Sequence, residues 1–496
     1  GPTPFWLIQL EFKADKWTGK VLDSGPGVVA ATLENVQATK EHLHIQLKIQ
    51  GQLIRFDGKI AREAKDKIQG TLDNNKELSL AQLDRTVLTS LKDPYEVNKE
   101  ILAKNDGPEV FDAAVAMLQQ ASEKKVKPEE VRSIADRAFK TADRYGTRWQ
   151  KEIALRIADV LAQQESQVKS GVEYARLAER LLEPGDDAQL QIRVLEVLAN
   201  ALLKSGKADE TKDLMARIET LEKKADDEYA KRIPPLATEP FAGRKKKSDR
   251  AVLIELFTGA QCLPCVAADV AFDAVAKTYK STEVILLEYH LHIPGPDPLS
   301  NSDCEARMDY YGPAVVEGTP TILFNGKPGA TGGGSLDVAR SKYKEYRAVI
   351  DPLVETPAKV KLKVGTVRQK DKIDAMVEVS DLEGPAENLF LRLALVENQV
   401  RYVGGNQVRF HHQVVRAFPG GAKGFELKSK NLKQSVHVDL GDLRKALAKY
   451  LEDFNKTNPF PNAKRPLDLK QLSIVAFVQN DKTKEILQAA QVEVME

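Results

Sequence analysis

Cysteine is nearly absent. Three occur in 496 residues, far too few for a secreted scaffold stapled by disulfides. Long apolar runs are missing too, since none approaches the ~20 residues that a membrane-spanning helix needs. Neither sign of charge is in excess, with Lys+Arg 73 against Asp+Glu 72, which gives no electrostatic case for a nucleic-acid or membrane partner. No P-loop, dinucleotide fingerprint, Ser–His–Asp signature or zincin motif occurs. Gly332-Gly333-Gly334 reads as a flexible entry to a helix, not as a phosphate cradle. The opening Gly1-Pro2-Thr3-Pro4-Phe5 lacks the basic start and apolar core of a signal peptide, and reads as a mature end or a protease scar.

What is present is an ordinary soluble composition, 42% hydrophobic and 29% charged, in a chain long enough for three or four domains. Residues 1–90 read as a β domain, a small sandwich or half-open barrel of about seven strands. Leu43, Ile45, Leu47 and Ile49 alternate with polar residues; Gly51-Gln52, Asp57-Gly58 and Asp73-Asn74-Asn75 supply turn chemistry. Trp17 reads as core. From 95 to 232 the period changes to that of a helix, as in Ile153, Ile157, Val160 and Leu161. Helices are expected at Trp149–Gln163, Val168–Leu182, Gln189–Lys204 and Lys207–Lys223. A pair every ~35–40 residues resembles a tetratricopeptide-type array, whose concave side often holds a partner; a plain spacer is the other reading. Residues 233–250, with Pro234-Pro235 and the basic run Arg244-Lys245-Lys246-Lys247, read as a solvated linker.

Residues 251–351 run strand, helix, strand, helix, strand, strand, helix, which is the element order of the thioredoxin fold. Val252–Phe257 is the first strand, Pro264–Lys280 the first helix and Val284–His292 the next strand. Asn325-Gly326 is a type I′ turn dipeptide between the last two strands, and Ser335 is placed to cap the last helix. Residues 357–496 read as a β-sandwich with one helical insertion, marked by Leu440, Leu443, Leu447, Leu451 and Phe454.

The chemistry concentrates at Cys262-Leu263-Pro264-Cys265. The motif directly follows a buried strand and opens a helix, whose free N–H groups and partial positive charge stabilise a thiolate. Cysteine pKa values fall from ~8.5 into the range of ~3.5–7.5 at such positions. Cys262, expected to be the more exposed, would attack, and Cys265 would resolve the mixed disulfide. Pro264 suits the first turn. A permanent Cys262–Cys265 disulfide is the alternative. Cys304 reads as a buried free thiol, or as an occasional partner of the other two. With His290 and His292, which would share a strand face, the three cysteines offer a thiolate–imidazole set for zinc or copper, although no local spacing joins the histidines to the motif. His411 and His412, being adjacent, point to opposite faces and make no two-ligand site.

Similarity to thioredoxins implies three further assignments. Thr319-Pro320, preceding an apolar strand, takes the place of a cis-proline that packs against the dithiol, with the Thr319 backbone pairing with an extended substrate. Glu255 takes the place of the buried acid that handles the proton of the resolving thiol, one residue further from Cys262 than in thioredoxins. Gln261 and Leu263 depart from the aromatic and glycine usual there. The stretch Glu255–Cys265, His290 with Asp297-Pro298-Leu299-Ser300-Asn301, Gly318-Thr319-Pro320-Thr321, and Val396-Glu397-Asn398 through His412 to Gly424 together resemble the outer-membrane-protein-28-related family of bacterial exported proteins, over residues 250–496. The resemblance implies an exported or envelope protein with a thioredoxin fold. The resulting expectation is a thiol–disulfide oxidoreductase acting on protein substrates, with no cofactor beyond the dithiol. A non-catalytic interaction scaffold and a copper or zinc handler are the alternatives.

Overall fold

The computed structural model describes all residues except 1–5, 14, 26–27, 40, 50–51, 61–66, 74–77, 87–92, 459, 461–463 and 496, and the backbone alone of 60 and 78–80. The protein combines helices with several sheets. It divides into two compact units, residues 1–186 with 190–216, and residues 187–189 with 217–496. No helix among the described residues is long and apolar enough to cross a membrane.

In the first unit, β1 (Trp6–Lys13) and β2 (Lys16–Ser24) form an antiparallel hairpin. Next come β3 (Thr32–Ala38), β4 (His42–Ile49), β5 (Gln52–Ile60), β6 (Lys67–Asp73) and β7 (Leu78–Asp84), a five-stranded meander. The period of two in β4 decides its orientation: Leu43, Ile45 and Leu47 are buried with Val36 and Phe56, and Ile8 and Val21 of the hairpin pack on the same cluster. Two expectations fail here. Asp57-Gly58 is no turn but lies inside β5, where Gly58 sits opposite Gly70. Phe56 and Ile68 fill the space a Gly58 side chain would need, so close packing, not turning, calls for glycine. Trp17 is 37% exposed beside Phe12 rather than core. Gly51, Asn74, Asn75 and the N-terminal five residues lie outside the described residues.

The helices are α1 (Pro94–Lys104), α2 (Glu109–Gln119), α3 (Pro128–Asp143), α4 (Thr147–Ala162), α5 (Val168–Arg180), α6 (Ala188–Lys204) and α7 (Lys212–Arg232). α4 buries Ile153, Ile157 and Leu161 at the helical period and leaves Val160 half-buried. α7 runs past the expected end at Lys223 to Arg232.

The second unit is built on one long sheet. β8 (Val252–Thr258) leads through a short 3-10 turn, Leu263–Cys265, into α8 (Val266–Thr278). Then follow β9 (Val284–His290), α9 (Ser302–Tyr311), β10 (Thr321–Phe324), β11 (Lys327–Pro328) and α10 (Ala339–Leu353). Asn325 and Gly326 both take positive φ between β10 and β11, as a type I′ turn requires. Ser335 makes no cap bond to the helix; its hydroxyl bonds Asp337 instead. The remaining elements are β12 (Lys361–Gln369), β13 (Lys372–Ser380), β14 (Leu389–Arg401), β15 (Phe410–Ala417), β16 (Phe425–Glu426), β17 (Leu432–Asp439), α11 (Leu440–Thr457), β18 (Leu472–Asn480) and β19 (Ile486–Glu493).

From sequence, 251–351 and 357–496 read as separate domains; one sheet joins them. Its order is β11-β10-β8-β9-β15-β14-β18-β19, with β16 beside β14, and the seam is a parallel pairing of β9 with β15 at Glu288 and Val414. On one face Val252, Ile254 and Leu256 pack under α8 and α10. On the other, Leu253 and Phe257 pack with Leu287, Tyr289, Val396 and Phe477. The small sheet β12-β13-β17 covers the outer half of the long one through Val377, Val379, Leu391, Leu393 and Ile474. Residues 233–250 are not a free connector. Phe241 packs on Tyr279, and the Arg244 guanidinium donates to the carbonyls of Val354, Arg250 and Thr282.

Candidate functional site

Cys262 and Cys265 are joined in a disulfide at the mouth of α8. Two backbone bonds shape the turn, Cys262 N–H to Gly259 O at 2.9 Å and Cys265 N–H to Cys262 O at 3.1 Å. Between the sulfurs the chain bulges outward, so Leu263 is 68% exposed and Pro264 lies beside it at the surface. The glycine run 332–334 threads past this bulge: Gly334 N–H bonds Pro264 O at 2.8 Å. A side chain at Gly333 would come within 3.8 Å of both Pro264 and Pro320, so the two prolines flank one point. The Thr319–Pro320 peptide is cis, as is Ile293–Pro294. Thr319 is half-buried, with its hydroxyl donating to Ile293 O at 3.1 Å.

Exposure of the cysteines departs from expectation. Cys262 is 1% exposed and Cys265 fully buried. The turn between β14 and β15 packs against the three residues that precede Cys262. Asn406 N–H bonds Ala260 O at 3.0 Å, Asn406 Nδ2 bonds Gly259 O at 3.3 Å, and Gly405 N–H bonds Gln261 Oε1 at 2.9 Å. The approach is close enough that a Cβ on Gly404 would stand 2.3 Å from Ala260 O. Val408 anchors this cap in a cluster with Ile233, Val266, Ala267 and Val270. Buried Arg409 ties it to α7, donating to Asp226 at 2.7 Å and also pairing with Glu222. Gln261 is thus one of three consecutive residues, with Gly259 and Ala260, that receive this turn.

Glu255 does not face the dithiol. Strand residues alternate, and Glu255 shares the face of Leu253 and Phe257, opposite to α8. Its carboxylate pairs with Arg307 Nε at 2.7 Å and accepts from the Tyr311 hydroxyl at 2.5 Å, all buried. The acid near the motif is Asp269, one helical turn beyond Cys265. One of its oxygens accepts from Thr258 Oγ1 at 2.9 Å, and the other, Oδ2, has no hydrogen-bond partner among the described residues. Burial, reinforced by the charge of Glu288, pushes its pKa well above the ordinary carboxylate value.

Beneath the motif lies a buried polar chain. Asp297 Oδ2 accepts from Ala260 N–H at 2.6 Å and from His290 Nδ1 at 2.8 Å; His290 Nε2 meets Glu288 Oε1 at 2.8 Å. Burial opposes the charge on His290, but the two flanking carboxylates outweigh it and raise its pKa. Burial likewise opposes the charge on Glu288, and His290 and His411 hold its pKa down. Asp297 also accepts from Leu299 N–H, and Asn301 caps α9 by accepting from Asp303 and Cys304 N–H. This gives the stretch Asp297–Asn301 a structural purpose.

The thiolate–imidazole set is not assembled. β9 ends at His290, so His292 shares no strand face with it. The ring of His292 stacks on Phe454 at 3.5 Å and bonds Tyr450. Cys304 is a buried free thiol whose sulfur lies 3.6 Å from Val415 O. His411 and His412 do point apart, the first inward and the second to Asp273 at 2.6 Å. Asp269, the cap and the Glu288–His290–Asp297 chain escape sequence reasoning. A polar residue in an otherwise apolar run, Asp269 among Ala268, Val270, Ala271 and Phe272, is the one local signal.

No family model matches the chain, and no curated protein matches it. Among solved structures the chain is similar to HBP35 of Porphyromonas gingivalis, with 14% identity and a TM-score of 0.35, over 50% of this chain and 77% of that one.

Proposed function

We propose that the chain is a thiol–disulfide exchange protein of the thioredoxin-like class, acting on protein substrates in an exported or envelope setting, with its disulfide gated by the 404–406 cap. In this reading residues 251–351 are a thioredoxin-like domain, 95–232 a tetratricopeptide-like array that positions a client, and 357–496 a β-sandwich that supplies the gate. The observation that carries it is the Cys262–Cys265 disulfide at a strand-to-helix junction, with exposed Leu263 and Pro264 next to Pro320. The family resemblance of residues 250–496 supports the setting. Cap opening admits a substrate thiolate to Cys262; the new bond forms at Cys262, and Cys265 leaves as thiolate. Asp269, buried and one turn away, is the proton donor to that leaving sulfur in place of Glu255. No cofactor is needed.

A second reading is favoured by the 1% exposure of Cys262: a permanent disulfide inside an interaction scaffold. Equilibration with graded glutathione buffers, followed by turnover of a model disulfide, separates the two. Exchange predicts measurable reduction, turnover abolished by Cys262→Ser, and a mixed disulfide trapped by Cys265→Ser. Resistance across the glutathione range with no turnover would establish the scaffold.

A further inference from the structure

We propose that Glu288, His290 and His411 form a buried site for a single divalent cation of the zinc class, clamping the seam between β9 and β15. The three ligand atoms lie within 4.8 Å of one another and all three residues are buried. Two imidazoles and one carboxylate are a set that zinc takes readily.

The orientation of each ring argues for a ligand site. His290 directs Nδ1 to Asp297 at 2.8 Å, which leaves Nε2 toward Glu288. His411 directs Nε2 to the Tyr402 carbonyl at 3.1 Å, which leaves Nδ1 toward Glu288 Oε1 at 3.5 Å. Metal-bound histidines are held in this way, with the second ring nitrogen donating to a carboxylate or a backbone carbonyl. His411 Nδ1 is also fully buried and has no hydrogen-bond partner among the described residues. A buried polar atom without a hydrogen bond is costly, and this one is aimed at Glu288 Oε1 in the cluster.

The carboxylate-to-imidazole spacings are close to what a cation needs, and the two ring nitrogens, within 4.8 Å of each other, would draw together on binding. Zinc–ligand bonds of ~2.0–2.1 Å in a tetrahedron set ligand atoms about 3.3 Å apart. The two distances from Glu288 Oε1, 2.8 and 3.5 Å, bracket that value. Glu288 Oε2 is already steadied by His412 N–H at 3.2 Å. Three protein ligands leave a coordination position open. The cation would fasten the two halves of the long sheet where their pairing is shortest, a single register of Glu288 with Val414. Through Asp297 and Ala260 it would also brace the loop that carries Cys262.

The test uses the tag-free full chain, unfolded with chelator and refolded with Zn2+ or with Co2+, then dialysed against chelator. The expected result is one retained equivalent of Zn2+ by elemental analysis. With Co2+, visible d–d bands of low coordination number should appear. Both should be lost in His411→Gln and in Glu288→Gln and kept in His412→Gln and in Cys262→Ser/Cys265→Ser. Circular dichroism identifies which variants fold, and either ligand variant that does suffices. A natively folded wild-type chain that retains no metal overturns the proposal. So does metal retained in a folded ligand variant, or metal lost with the cysteines, which would place it on the thiolates.

Discussion

Gly404→Ala is the substitution that most directly tests the gate. The added methyl would stand 2.3 Å from the Ala260 carbonyl oxygen. That atom is backbone and cannot swing aside, so the 404–406 turn must lift. Lifting breaks the bonds from Gly405 N–H to Gln261, from Asn406 N–H to Ala260 and from Asn406 Nδ2 to Gly259. At ~1 kcal/mol net for each hydrogen bond, the closed cap is favoured by about 3 kcal/mol. Since each ~1.4 kcal/mol is tenfold in rate, the variant should be reduced by dithiothreitol about a hundredfold faster than wild type. Val408 and Arg409 keep the far end anchored, so the turn hinges and the fold persists. The assay is acid quench and thiol labelling against time, beside a thermal melt. Reduction through a local opening should depend weakly on denaturant, whereas reduction through global unfolding follows the full unfolding slope. A folded Gly404→Ala that is reduced at the wild-type rate refutes the gate.

Three further outcomes are expected. Burial pushes the Cys304 thiol far above its ordinary range, so the native oxidised chain should show no thiol reactive to alkylation at mildly alkaline pH, and one after denaturation. Glu255→Gln should leave the reduction rate of folded molecules unchanged while costing ~3–5 kcal/mol of stability, because it strands buried Arg307; a changed rate without that loss would restore Glu255 to the redox chemistry. Asp269 has a raised folded pKa, so the stability it contributes is fully present below the unfolded value of ~3.9 and is lost as pH rises toward the folded one. Asp269→Asn should therefore gain on wild type in melting temperature as pH rises from about 4, and parallel pH profiles would contradict this.

Local signals in the sequence located the elements well. The period of two in β4, that of 3.6 in α4, and Asn325-Gly326 with both φ positive are each decided by near neighbours. The disulfide motif at the mouth of α8 was legible for the same reason. Long-range pairing was not. The meeting of β9 with β15 brings Glu288 to His411 and the 404–406 turn to Gly259, Ala260 and Gln261, and no local pattern encodes it. That Glu255 turns from the dithiol is not legible, because alternation fixes which residues share a face but not which face looks toward α8. Gly58 is not a turn because the turn preference of Asp-Gly yields, in β5, to the ladder with Gly70.

The single sheet running from β11 to β19 also governs how this protein can be cut. β9 is an interior strand met on its second edge by β15, at the single pairing of Glu288 with Val414. A fragment ending near residue 356 would strip β15 from the second edge of Val284–His290, an invitation to pair with whatever strand comes next. Such a fragment should associate with its own copies or precipitate, and adding back residues 357–496 in trans should suppress this by supplying the missing neighbour.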